Sequence, residues 1–149
     1  MIPTFGKDKK IIRLMICPST HTRSTKGDAI CFRVPKEVSK AKYPSLYKRR
    51  MQLEKYNNYK AELKLEAERV GFEMPLSNIW IKFYMPMPKS WGKKKRLQMN
   101  FEPKKSMPDL SNLIKAFEDG LFKQDNAIWD YRASKRWYDG KGFIEIEYL

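Results

Sequence analysis

At 149 residues and 42% hydrophobic content, the chain has the length and apolar share of one domain, spanning residues 1–149 around a single core. Lysine and arginine total 31 against 17 aspartate and glutamate, a formal charge of +14; an excess that large repels itself in a fold and points to a polyanionic partner. Two cysteines and one histidine are too few for a four-ligand structural zinc site, and no apolar run approaches the ~20 residues that span a bilayer.

The opening MIPTFGKDKK lacks the apolar core of a signal peptide, so a cytoplasmic protein is expected. Residues 10–17 read as a strand with Ile12, Leu14 and Ile16 on one face, ended by Pro18. A polar loop follows, in which His21 reads as an ordinary loop residue. Residues 29–34 read as a second, weaker strand, and 35–44 give no firm signal. Cys17 and Cys31 lie in apolar stretches and are expected to be reduced core residues.

Residues 45–70 predict one long helix, since Tyr56, Tyr59, Leu63, Ala67 and Val70 recur at three- and four-residue steps and Gly71 offers a stop. Ile79, Ile81, Phe83 and Met85 alternate as a strand that ends at Pro86 and Pro88. Residues 89–105 read as a basic loop. A short helix is predicted over 109–119, closed by Gly120, and a final hairpin pairs 127–137 with 142–149 around Asp139-Gly140. This order of elements predicts an α+β domain with helices packed on a mixed sheet.

The densest chemical signal is SMPDLSNLIKAFEDGLFKQDNAIWDYRASKR, residues 106–136. It carries Asp109, Glu118, Asp119 and Asp125 beside Lys115, all within the most basic part of the chain. Carboxylates on a DNA-attracting surface repel the ligand unless a cation lies between them. Mg²⁺ suits that place: a hard ion held by one or two carboxylates plus water and phosphate oxygens, able to polarise a phosphate and activate water.

Helical spacing puts Ser111, Lys115 and Glu118 on one face, with Leu110, Leu113, Ile114, Phe117 and Leu121 on the adjacent, core-facing side. Simpler roles stay open at this point. Asp109 fits an ordinary helix N-cap, Glu118 or Asp119 can pair with Lys115 along the helix, and Asp125-Asn126 fits a turn.

The run Pro108-Asp109-Leu110-Ser111-Asn112-Leu113-Ile114-Lys115, followed by Asp119-Gly120-Leu121 and then Asp125, resembles the signature of the RusA-type Holliday junction resolvases. That pattern is PD-x-DN-x-x-K, then D-x-L, then an acidic pair opening a strand. Met85-Pro86-Met87-Pro88-Lys89-Ser90-Trp91 and the lysine-rich run after it resemble one branch of the family. The similarity covers residues 79–149, and the first half matches only loosely.

The resemblance implies a homodimeric, Mg²⁺-dependent endonuclease, with Mn²⁺ as a substitute ion, that nicks branched double-stranded DNA symmetrically during recombination and repair in a phage or bacterial setting. It casts Asp109 and Asp125 as metal-binding aspartates and Lys115 as the catalytic lysine. Two positions depart from the pattern: Ser111 stands where an aspartate is usual, and Gln124 where the first member of the acidic pair belongs. Glu118, two turns along the same face as Ser111, is read as the relocated third ligand. Asp119 is a poorer substitute, rotated about 80° from Ser111 at ~100° per residue.

For DNA binding the candidates are Lys93, Lys94, Lys95 and Arg96, then Lys104 and Lys105, then Arg132 and Arg136 on one face of the last-but-one strand with Lys135 on the other. Such residues grip phosphates without reading bases. Trp91 is read as packing against its own loop, with stacking on an unpaired base as the alternative. Two further readings remain open: a branched-DNA-binding protein of the same fold that no longer cuts, and a basic RNA- or ribosome-associated protein.

Overall fold

In a computed structural model the chain is described over residues 10–73, 78–122 and 128–149. Four strands form one mixed sheet: β1 (Ile11–Leu14), β2 (Ile79–Pro86), β3 (Arg132–Tyr138) and β4 (Phe143–Tyr148), in the spatial order β1-β4-β2-β3. β4 is antiparallel to both β1 and β2, whereas β2 and β3 run parallel. A parallel pair needs a crossover, and the chain between β2 and β3 supplies it with helices α4 (Lys93–Met99) and α5 (Leu110–Leu121).

The predicted terminal hairpin is therefore not formed. β3 and β4 are consecutive, yet β2 lies between them and pairs with both. The turn signal at Asp139-Gly140 is genuine, but it steers the chain over the end of β2 instead of back along β3. Gly142 makes the crossing feasible: a Cβ there would stand 2.6 Å from the Tyr84 carbonyl oxygen and 3.0 Å from Pro18 and Pro86.

Alternation along the strands sends Leu14, Ile79, Ile81, Phe83, Met85, Ile144 and Ile146 to the face that meets the helices. The long helix α3 (Pro44–Val70) buries Tyr56, Tyr59, Leu63 and Ala67 against them, and α5 contributes Leu113, Ala116 and Phe117. Both helices follow the sequence-based expectation closely. Gly71, at φ 68°, ends α3 as anticipated, its N–H reaching the Ala67 and Glu68 carbonyls. Gly120 instead stays inside α5, where its missing side chain admits Leu63 of α3; an added Cβ would lie 2.8 Å from Leu63 Cδ2.

The opposite face of the sheet mixes charged pairs with a packed aromatic cluster of Tyr84, Tyr138 and Phe143. Arg13 pairs with Glu145, and Lys82 with Glu147 at 2.8 Å, so two nearly buried glutamates keep cationic partners.

Three further expectations need correction, and one silent stretch proves helical. Residues 29–34 are no strand: a 3₁₀ turn (Lys26–Asp28) leads into α1 (Ala29–Arg33), because Arg50 donates to the Cys31 and Val34 carbonyls and so satisfies the helix end. The segment without signal contains α2 (Lys36–Lys42). The basic loop holds α4, built from good helix formers that outweigh the like charges of three adjacent lysines. Cys17 is exposed, since its strand ends at Leu14; only Cys31 is buried.

Candidate active site

α5 presents the acidic cluster. Asp109 takes the N-cap position with extended backbone (φ −65°, ψ 139°), and its carbonyl accepts from Asn112 and Leu113, yet its side chain makes no capping hydrogen bond. The ordinary N-cap role is thus unfilled, and the carboxylate stands exposed at the helix start. Ser111 and Lys115 are exposed on the same helix, and Glu118 and Asp119 are half-buried.

Around the helix axis Glu118 and Asp119 fall on opposite sides of Lys115, and they are held differently. The Tyr131 hydroxyl donates to Glu118 Oε1, and Glu118 shares a cleft of about 370 Å³ with Trp129, Asp130 and Tyr131. Asp119 turns toward α3, where its Oδ2 accepts from the Tyr56 hydroxyl at 2.7 Å; its Oδ1 lies 3.4 Å from Lys115 Nζ. Burial, then the Asp119 carboxylate, push the Tyr56 hydroxyl well above its ordinary pKa of 10.0. His21 Nε2 comes within 3.4 Å of the same Asp119 oxygen. Asp125 and Gln124 lie outside the described residues.

Lys135 fixes the approach to Asp109. From β3 its ammonium donates to the Ser106 and Pro108 carbonyls, 2.6 Å each, immediately before Asp109. Residues 101–104 run along the outer edge of β3 through hydrogen bonds with Trp137 and Lys135, which covers that edge.

The basic candidates divide into three groups. Lys93, Lys94, Lys95 and Lys105 are exposed, and Lys95 and Lys105 line a groove of about 730 Å³ with Trp91, Ser106 and Trp137. Arg96 is drawn inward: it donates to the Trp91 and Pro88 carbonyls and pairs with Asp139 at 2.9 Å. Lys104 is buried, its ammonium 4.0 Å from the Trp137 ring centre and bonded to the Ser106 hydroxyl. Burial and then Lys135 lower its pKa. Arg132 and Arg136 alternate with Ala133, Lys135 and Trp137, which puts them on the sheet face away from α5. Arg132 lies over Trp80, and Arg136 donates to the Phe101 carbonyl. Trp91 packs on Trp137 of β3 at 4.8 Å between centroids, so its packing partner is the sheet edge in place of the expected loop.

Sequence reasoning missed Tyr56, Tyr131, Asp130, Lys135 and the placement of His21. Tyr56 announced itself only as a core residue, because helical period reports which face is buried and not where a hydroxyl ends. Lys135 was recognisable as pointing away from Arg132 and Arg136, but its carbonyl partners were not.

Asp109 and Glu118 each carry hard carboxylate oxygens of the kind taken by Mg²⁺, an ion that needs few protein ligands and completes its shell with water and phosphate oxygens, whereas Ser111 offers only a neutral hydroxyl. Among the described residues no three His, Cys, Asp or Glu side chains converge on one point. No helix of the described chain is long and apolar enough to cross a membrane.

Compared with known proteins, residues 31–147 match the family model described as Endodeoxyribonuclease RusA. The match thus reaches well into the first half of the chain, beyond the 79–149 stretch that carries the motif. No curated protein and no solved structure matches.

Proposed function

The chain belongs to the RusA endodeoxyribonuclease family, and from that membership we propose that it acts as a homodimeric, Mg²⁺-dependent endonuclease nicking Holliday junctions or related branched DNA. The observation that carries the reading is Asp109: an exposed carboxylate, relieved of helix capping, on the helix that presents Lys115. Asp109, Glu118 and Asp125 would hold Mg²⁺, with water and phosphate oxygens filling the remaining places. When bound, the ion polarises the scissile phosphate and makes water a stronger nucleophile.

The chain's own part is positioning and charge. Lys115 orients the phosphate and offsets its growing negative charge. Lys135 keeps the peptide before Asp109 in register, so the carboxylate enters from a fixed backbone. Lys93, Lys94, Lys95 and Lys105 hold neighbouring phosphates along the groove beside Trp91.

The test is cleavage of four-way junctions, forks and flaps with Mg²⁺ or with chelator. Paired symmetric nicks in junctions, seen only with the metal, are expected. Junction binding without any nicking would identify a binding protein of the same fold and overturn the enzymatic reading. Metal-independent preference for structured RNA would overturn the DNA reading as well.

A further inference from the structure

We propose that Tyr56 and His21 are positioning residues for the reaction: they hold Asp119, an ion-pair partner that helps set where the Lys115 ammonium stands. The inference rests on the catalytic reading of Lys115 given above.

A lysine on an exposed helix face ordinarily samples many rotamers, and an i,i+4 acid does little to restrain it because both partners move. Asp119 is different, since three parts of the chain meet at its carboxylate. Tyr56, buried on α3, donates to Oδ2 at 2.7 Å. His21 Nε2 lies 3.4 Å from the same oxygen, with its ring edge-on to Tyr56 at 5.4 Å. Oδ1 is thereby turned toward Lys115, 3.4 Å away.

The loop carrying His21 is itself tied down. His21 N–H donates to the Asn112 carbonyl of α5 at 3.1 Å. Arg49 of α3 grips the Arg23 carbonyl and both oxygens of Asp28. The raised Tyr56 pKa keeps that hydroxyl a donor throughout the neutral range.

Asp119 is therefore fixed from outside its own helix, and through it one end of the Lys115 pair stays in place before substrate arrives. His21 lies ahead of the residues that match the family model, so this part of the device belongs to the chain's own N-terminal segment.

The experiment measures single-turnover cleavage of a four-way junction with Mg²⁺ by the full chain, at saturating protein. Tyr56→Phe, which keeps the buried ring, should slow cleavage about tenfold, the order of one charge-assisted hydrogen bond, and Asp119→Asn by at least as much. His21→Gln should slow it about threefold, in keeping with its longer separation from Asp119. Junction affinity and the melting profile should hold for His21→Gln, which lies in a surface loop and serves if a core variant fails to fold.

A second readout separates positioning from general support. With lysines labelled as ¹³C-methyl amines, the Lys115 resonance is assigned by its loss in Lys115→Arg. In Tyr56→Phe and His21→Gln it should move toward the shift shared by the surface lysines. Parental cleavage rates in both variants would overturn the proposal, as would slowed cleavage with the Lys115 resonance unmoved. Parental cutting by Lys115→Arg would instead remove the catalytic reading on which the proposal rests.

Discussion

Glu118 has two carboxylate oxygens, and one of them already accepts the Tyr131 hydroxyl. The variant Glu118→Gln is therefore informative, because the amide keeps the size and an acceptor for Tyr131 while removing the charge a cation needs. If Glu118 replaces the aspartate missing at position 111, that variant should lose cleavage and still bind junctions by gel shift. Asp109→Asn and Asp125→Asn should behave alike, and Ser111→Ala should be nearly silent. Ser111→Asp combined with Glu118→Gln should recover measurable nicking, since both carboxylates address the same side of α5. Parental cutting by Glu118→Gln would transfer the third-ligand role elsewhere. Asp119 is already committed to Tyr56 and Lys115, which leaves Asp130, across the cleft, as the next carboxylate to test.

Between elements, three junctions make separate predictions. At the join of α3 and β1, Arg69 and then the Met15 N–H hold Glu66 from the ordinary 4.5 down to about 2. The unfolded chain then binds the extra proton first as pH falls, so this stabilisation is complete above about 4.5 and gone below about 2. Glu66→Gln should lower the melting temperature slightly near neutrality, with a deficit that closes as pH approaches 2. Where β3 crosses to β4, Gly142→Ala would press a methyl group against the Tyr84 carbonyl. Calorimetry should register a loss of roughly 1–3 kcal/mol, typical of overpacking. Along α4, replacing Lys93, Lys94 and Lys95 should weaken binding to all DNA sequences alike. The slope of log affinity against log salt should flatten by roughly 0.9 for each phosphate that a lysine no longer neutralises. Arg96→Ala should lower stability more than it changes that slope, because its guanidinium is spent on Trp91, Pro88 and Asp139. What could be read beforehand follows the same division. α3, β2 and α5 were legible because apolar period is a local property carried by the residues themselves. α1 was not, since its end is satisfied by Arg50 from α3, and the alternation of Ile30, Phe32 and Val34 suits a strand equally well. α4 was masked by charge, and the β3–β4 arrangement by a turn signal that says where the chain bends but not which strand lies alongside.

For the molecule as a whole, a net charge of +14 suits a polyanionic partner, and the symmetric nicking proposed above would require paired sites on one DNA. Light scattering after gel filtration should give twice the 17.8 kDa chain mass; a monomer at high micromolar concentration would count against junction resolution. The acidic cluster and Lys115 were legible as a local string on α5, whereas the residues that fix them come from β3, α3 and the loop after β1, at separations no spacing pattern encodes. The sheet order has one more effect, on biosynthesis. Among the described residues β1 pairs only with β4, the last strand in chain order, and β4 also closes onto β2. During translation β1 emerges with no strand to join, and its hydrogen-bonding edge waits until residues 143–148 have cleared the ribosome. β2 and β3 can pair without β4, but β1 joins them only through it, so a chain cut ahead of Phe143 should leave β1 unpaired and the sheet two-stranded.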